Sequence, residues 1–239
     1  VLCSVTLPAG AAVYSHYAFD SDYTDSSGNG RDGTLTDVGT TGNSGITNTS
    51  GDFVFGGGAM DFSDDADYIA LPSKTFSSGV PYTIAFWAQR DSTSHQWNMT
   101  VGDQSSNFFI ALRNDGILRW RSSSSASARQ EDFAAAADTA WHHYAIVASG
   151  TNIDFYRDGA FVGQGTNKQT GFIINGIGSA YPAGNGFDFR GRMDEVWIFD
   201  EALDATAISN LEAFNTIVPE PGTTALAALA ALGLLRRRR

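Results

Sequence analysis

The stretch WHHYAIVASGTNIDFYRDGAFVGQG, Trp141 to Gly165, leaves little room for any fold but an antiparallel sheet. Its runs of strand-forming residues are separated only by SGTN and RDG. Links that short join antiparallel neighbours, whereas parallel strands need a crossover of a dozen residues or more. Asp158-Gly159 suits a tight hairpin, because glycine takes positive φ without steric cost. The same pattern recurs. PYTIAFWAQR sets Tyr82, Ile84, Phe86 and Ala88 on one face and Ala85 and Trp87 on the other, so this strand is expected to be covered on both sides. QWNMTVGD alternates Trp97, Met99 and Val101 against Asn98 and Thr100. NFFIALRNDGILRWR reads as a hairpin: Phe108, Ile110 and Leu112 share a face, NDG turns, and Leu118 and Trp120 return. GRMDEVWIFD is a further strand.

One helix is predicted in the patterned region, in LDATAISNLEAF, with Asp204 as N-cap and Ile208 and Leu211 on one face. The segment from Ser21 to Asp52 is almost all turn formers and predicts long loops with little sheet. Many short strands without intervening helices predict an all-β sandwich of two packed antiparallel sheets. A length of 239 residues suits one such domain.

The net charge is −11, and setting aside Arg236 to Arg239 leaves the rest four units more negative. Such a body repels nucleic acid and anionic lipid, so neither is expected as a partner. It suits a soluble extracellular protein and, as an alternative to plain solubility, one that binds cations. The single cysteine, Cys3, allows no internal disulfide. Residues 1–12, VLCSVTLPAGAA, read as a signal-peptide remnant, with Ala9, Gly10, Ala11 and Ala12 forming an A-x-A-like cleavage site.

Taken in order, HYAFDSDYTDSSGNGRDGTL, GGGAMDFSDDADYIALP, YTIAFWAQR, WHHYAIVASGTNIDFYRDGAFV and FRGRMDEVWIFDEALDATAISNL resemble the laminin G-like (LamG), concanavalin A-like jelly-roll domain over residues 13–214. Within GGGAMDF the glycines permit close backbone approach while Met60 and Phe62 enter the core. The end of the chain resembles a second family, the PEP-CTERM sorting signal. Val218, Pro219, Glu220 and Pro221 lie in a linker over residues 215–222. A small-residue apolar run and then Arg236, Arg237, Arg238 and Arg239 fill residues 223–239. This short apolar helix is expected to lie outside the domain. Its 13 residues from Thr223 to Leu235 would reach about 20 Å as a helix, against a hydrocarbon core of about 30 Å. That is short for a permanent anchor and adequate for transient inner-membrane insertion, with the arginines on the cytoplasmic side. The resemblance implies processing near Pro-Glu-Pro by an exosortase. It also implies a secreted or cell-surface destination in a Gram-negative type of bacterium.

The same jelly-roll fold carries glycoside hydrolases of the laminarinase type, whose E-x-D-x-x-E strand is absent here: MDEVWIFDE, SDDAD and RQEDF do not fit it. No G-x-S-x-G elbow, P-loop or zinc spacing appears either. With these resemblances, the sequence points to a non-catalytic secreted or cell-surface protein that binds carbohydrate or is structural in extracellular polymer, with a divergent glycoside hydrolase on the same fold as the alternative. For Ca²⁺, FDSDYTDSSGNG supplies Asp20, Asp25 and Asn29, and adjacent terminal strands of LamG-like domains would bring Asp194 near them. The same side chains read equally as turn stabilisers. For an extracellular glycan, Trp97, Arg119, Trp120 and Tyr181 flank polar loops. The two tryptophans also read as core residues of alternating strands.

Overall fold

The computed structural model describes residues 12–36, 44–63, 67–122, 127–180 and 187–216. They form two antiparallel sheets packed face to face, with a short helix on the back of one. The eight-stranded sheet runs β13 (Ala160–Gly165), β12 (Asn152–Arg157), β11 (His142–Ser149), β6 (Tyr82–Arg90), β15 (Gly191–Phe199), β4 (Ala59–Phe62) and β3 (Gly45–Thr47), with β1 (Val13–Tyr17) also paired to β15. The seven-stranded sheet runs β10 (Gln130–Ala134), β9 (Ile117–Ser122), β8 (Phe108–Arg113), β7 (Trp97–Gly102), β14 (Phe172–Ile177), β5 (Tyr68–Phe76) and β2 (Thr34–Thr36). The expected all-β, two-sheet architecture is what the chain adopts.

The meander read from Trp141 to Gly165 is the β11–β12–β13 edge, with pairs from Tyr144↔Arg157 to Ser149↔Asn152 between β11 and β12 and a register shift at Phe155/Tyr156 between β12 and β13. Asp158 and Gly159 both take positive φ at its second turn. One continuous core lies between the sheets. Its largest buried side chains include Trp120, Tyr82, Tyr144, Phe86, Phe155 and Phe172. Burying rings of this size supplies most of the drive to pair the sheets. Met60 and Phe62 join this core. Gly58 just before them is obligatory, since a Cβ there would stand 2.8 Å from the Asp20 carbonyl oxygen.

β6 is central and covered on both sides. Its Tyr82, Ile84, Phe86 and Ala88 face the core, and Ala85 faces a second apolar layer under the helix α1 (Ala205–Phe214). The Asp204 carboxylate accepts from the Ala207 amide at 2.8 Å, capping α1 as its sequence requires.

β7 departs from its simple alternation. A bulge between Met99 and Val101 turns Val101 into the core while Trp97 and Met99 face outward. Asn98 and Thr100 are thereby buried. The Thr100 hydroxyl donates to the Ile110 carbonyl at 3.0 Å.

Candidate functional site

The outward face of the seven-stranded sheet carries a hollow of about 230 Å³ lined by Trp97, Met99, Asn107, Phe109, Arg121 and Phe187. Strand parity builds it. The cross-strand pairs Phe109↔Arg121, Ala111↔Arg119 and Met99↔Ala111 put these residues on the solvent side, while the intervening Ile110, Leu112, Leu118 and Trp120 point into the core. Met99, Phe109, Ala111 and Ala180 form a buried cluster against which Trp97 and Phe187 pack. Trp97 meets Phe109 and Phe187 edge-on, at ring separations of 6.2 and 6.4 Å. The wall at Phe187 is fixed by the Met99 amide, which donates to the Phe187 carbonyl at 2.9 Å.

Arginines edge this apolar patch. Arg113 and Arg119 lie over the Trp97 ring, with guanidinium carbons 4.9 and 5.1 Å from its centroid. Arg119 forms a two-pronged pair with Asp132, both bonds at 2.6 Å, and Arg113 pairs with Asp115 at 2.7 Å. Arg121 lies over Phe109 at 5.7 Å. Rings that can pack against sugar C–H groups, beside polar groups that fix orientation, are the make-up of a small-ligand site.

Of the glycan candidates from the sequence, Trp97 and Arg119 therefore lie on this face. Trp120 does not. Alternation along Arg119-Trp120-Arg121 sends it inward, where it is fully buried and its indole N–H donates to the Tyr82 hydroxyl at 3.1 Å. Tyr181 lies outside the described residues. Sequence reading passed over Phe109, Asn107, Arg121 and Phe187. The signal for Arg121 and Phe109 was present in strand parity, since each is one residue from a core position.

The proposed metal ligands separate into two pairs. The Asp25 carboxylate accepts from the amides of His16 and Ser27 at 3.0 Å each, the Arg31 amide at 3.1 Å and the Ser27 hydroxyl at 2.6 Å. Burial opposes its ionisation, but those bonds outweigh it and hold its carboxyl below the usual range. The Asn29 amide nitrogen donates to the Val13 and Tyr14 carbonyls. This pair does what Asx side chains do in turns. Asp20 and Asp194 instead grip one turn. Asp20 accepts from the Gly57 amide, and Asp194 Oδ2 accepts from Val54 and Phe55 at 2.8 and 3.1 Å. Asp194 is fully buried, its Oδ1 has no hydrogen-bond partner among the described residues, and burial pushes its carboxyl up to about 7. Among the described residues, no three His, Cys, Asp or Glu side chains gather as a metal-binding group.

Asp194 is doubled by Glu195, held at positive φ (52°) by a bulge in β15, which bonds the His16 imidazole. That ring stacks on Trp197 at 3.5 Å. Asp194, Trp87 and His143 pair across three neighbouring strands. This row lies on the eight-stranded sheet, away from the aromatic hollow. The sorting residues Val218, Pro219, Glu220, Pro221 and Arg236 to Arg239 lie outside the described residues, as does the signal-peptide remnant except for Ala12. Among the described residues no helix is long and apolar enough to cross a membrane.

Comparison with known proteins places these features. A family model described as the Concanavalin A-like lectin/glucanases superfamily matches residues 62–209, and the PEP-CTERM protein-sorting motif matches residues 218–239. No curated protein matches the chain. Among solved structures, domain 4 of AbnA, a GH43 extracellular arabinanase from Geobacillus stearothermophilus in complex with arabinotriose, is 23% identical at a TM-score of 0.64. That match covers 85% of this chain and 100% of that one. The binding domain of Paraclostridial Mosquitocidal Protein 1 is 18% identical at a TM-score of 0.59, covering 84% of this chain and 52% of that one. The binding domain of botulinum neurotoxin serotype G is 15% identical at 0.58, covering 85% and 51%. At these identities the likeness is one of fold.

Proposed function

The chain belongs to the concanavalin A-like lectin/glucanase superfamily, and from that premise we propose that it is a non-catalytic, exported glycan-binding protein. The observation that carries the reading is the aromatic hollow bounded by Trp97, Phe109 and Phe187, with Asn107 and Arg121 as its polar groups. The arabinotriose complex of the AbnA domain supports a sugar ligand on this fold. Hydrolysis is disfavoured by position. Glycosidases set two carboxyl groups across the scissile bond. Among the described residues no carboxylate lines the hollow, and the carboxyl raised to about 7, Asp194, is buried on the other sheet. Affinity electrophoresis through a polysaccharide panel tests the reading. Retention without release of reducing ends is expected, and Trp97→Ala should weaken it at least about tenfold at unchanged fold. Turnover of any retained polysaccharide would favour the hydrolase instead.

The PEP-CTERM match supports the destination. The motif directs the protein outward, where an exosortase-type enzyme removes the tail and leaves the body secreted or at the cell surface. Mass spectrometry of the mature protein from its native host should find no Arg236 to Arg239. A mature chain that retains them would sink this part of the reading.

Calcium belongs to the same proposal, narrowed to one pair. The buried Asp194 Oδ1, which has no hydrogen-bond partner among the described residues, fits a hard cation, and Asp20 sits on the same turn through the Gly57 amide. Bound there, Ca²⁺ would supply charge that keeps Asp194 ionised and fastens the Val54–Gly57 turn to β15.

A further inference from the structure

We infer that the hollow takes an acidic sugar whose anionic group is held by Arg121, an inference that rests on the glycan-binding reading above. The arginines of this face are not equivalent. Arg113 and Arg119 are each matched by an aspartate, at 2.7 and 2.6 Å. Arg121 has no such match. Its cross-strand neighbours are Phe109 on β8 and Gln130 on β10, neither of them acidic. Among the described residues it makes no ion pair; its Nε is buried without a hydrogen-bond partner, as is that of Arg113, so the missing ion pair is what sets Arg121 apart.

Two features make that arrangement informative. First, the chain carries 26 acidic against 15 basic residues, so carboxylates to neutralise an arginine are abundant, yet among the described residues none lines this hollow. Second, a guanidinium with no carboxylate beside it keeps a charge that an incoming anion can pair with. A planar guanidinium matches a carboxylate with two parallel hydrogen bonds, and it can serve a sulfate oxygen pair as well. The rings of Trp97, Phe109 and Phe187 would pack against the sugar and shield that pair from water, which strengthens it. Asn107 remains for a neutral hydroxyl. The shared ligand chemistry is thus a sugar ring bearing an anion, as a uronate or a sulfate ester.

Calorimetry on the purified protein, near 0.15 M salt, separates the outcomes. The probes are tetramers of galacturonate and mannuronate, their neutral counterparts from galactose and mannose, and a sulfated galactose tetramer. At least one acidic tetramer should bind about tenfold more tightly than its neutral partner. A carboxylate source shows in the uronates and a sulfate source in the sulfated tetramer. Arg121→Gln should bring the acidic tetramer down to the affinity that its neutral partner has for the same variant, and Arg121→Lys should restore part of the difference. Equal affinity for acidic and neutral tetramers, or an acidic preference that survives Arg121→Gln, would overturn the inference and leave glycan binding standing. No affinity for any tetramer would overturn both.

Discussion

Asp194 and His143 share one row of the eight-stranded sheet, with Trp87 between them, and both are forced towards their neutral forms by burial. Their effects on stability oppose each other. Burial pushes the Asp194 carboxyl up to about 7, so between pH about 4 and 7 the folded chain holds a proton that the unfolded chain releases. That contribution is lost as pH rises through the window. Burial pushes the His143 imidazole down to about 4, against the attraction of Asp158, so the unfolded chain binds the extra proton below about 6.5. That contribution is lost as pH falls through nearly the same window. The two slopes cancel in the native protein and separate in variants. In EDTA, Asp194→Asn should leave a melting temperature that falls on acidification from pH 6.5 to 4. His143→Gln should leave one that falls as pH rises from 4 to 7. Added calcium should raise the melting temperature at pH 8 in the native protein and not in Asp194→Asn. Flat profiles in both variants would contradict the assigned burial. No response to either calcium or EDTA would remove the cation from the site.

At the level of the element, strand identity and pairing were legible because period-two patterning and turn chemistry are local. The Asp158-Gly159 hairpin, the NDG turn and the Asp204 cap all act within a few residues. Which face a strand turns to solvent was legible only in part. Arg119 and Trp120 are adjacent, so a single strand cannot give both to one site, and the structure gives only Arg119. The β7 bulge was illegible, because nothing in WNMTVG marks one residue as extra. Yet that bulge sends Val101 inward and leaves Trp97 and Met99 facing out. Phe187 enters the site from a distant segment through a backbone contact to Met99, and Asp20 meets Asp194 only through the Val54–Gly57 turn. Contacts set by tertiary pairing leave no trace in local periodicity. For that reason the expected calcium quartet divided into a turn-stabilising pair and a turn-gripping pair.

At the scale of the molecule, the two sheets divide the labour. Part of the outward face of the eight-stranded sheet is covered by the helix: Ile208 and Leu211 of α1 pack with Ala85, Ala145, Val147, Tyr156 and Phe199. The outward face of the seven-stranded sheet keeps its rings and arginines open around the hollow. Stability and recognition should therefore respond to different substitutions. Ile208→Ala empties a fully buried site and is expected to cost about 2–5 kcal/mol. For a domain of this size that lowers the melting temperature by roughly 5–15 °C. Glycan affinity should stay within about twofold, because no helix residue lines the hollow. Trp97→Ala should do the reverse: its half-buried ring gives up few core contacts, and glycan affinity falls at least about tenfold. Neither residue has a partner in the other's cluster, so the double variant should show both effects in full. Thermal denaturation and calorimetry on the four proteins of this cycle measure both quantities. A coupling above about 0.5 kcal/mol in either one would mean that the sheets do not act independently and that the helix shapes the binding face through the core.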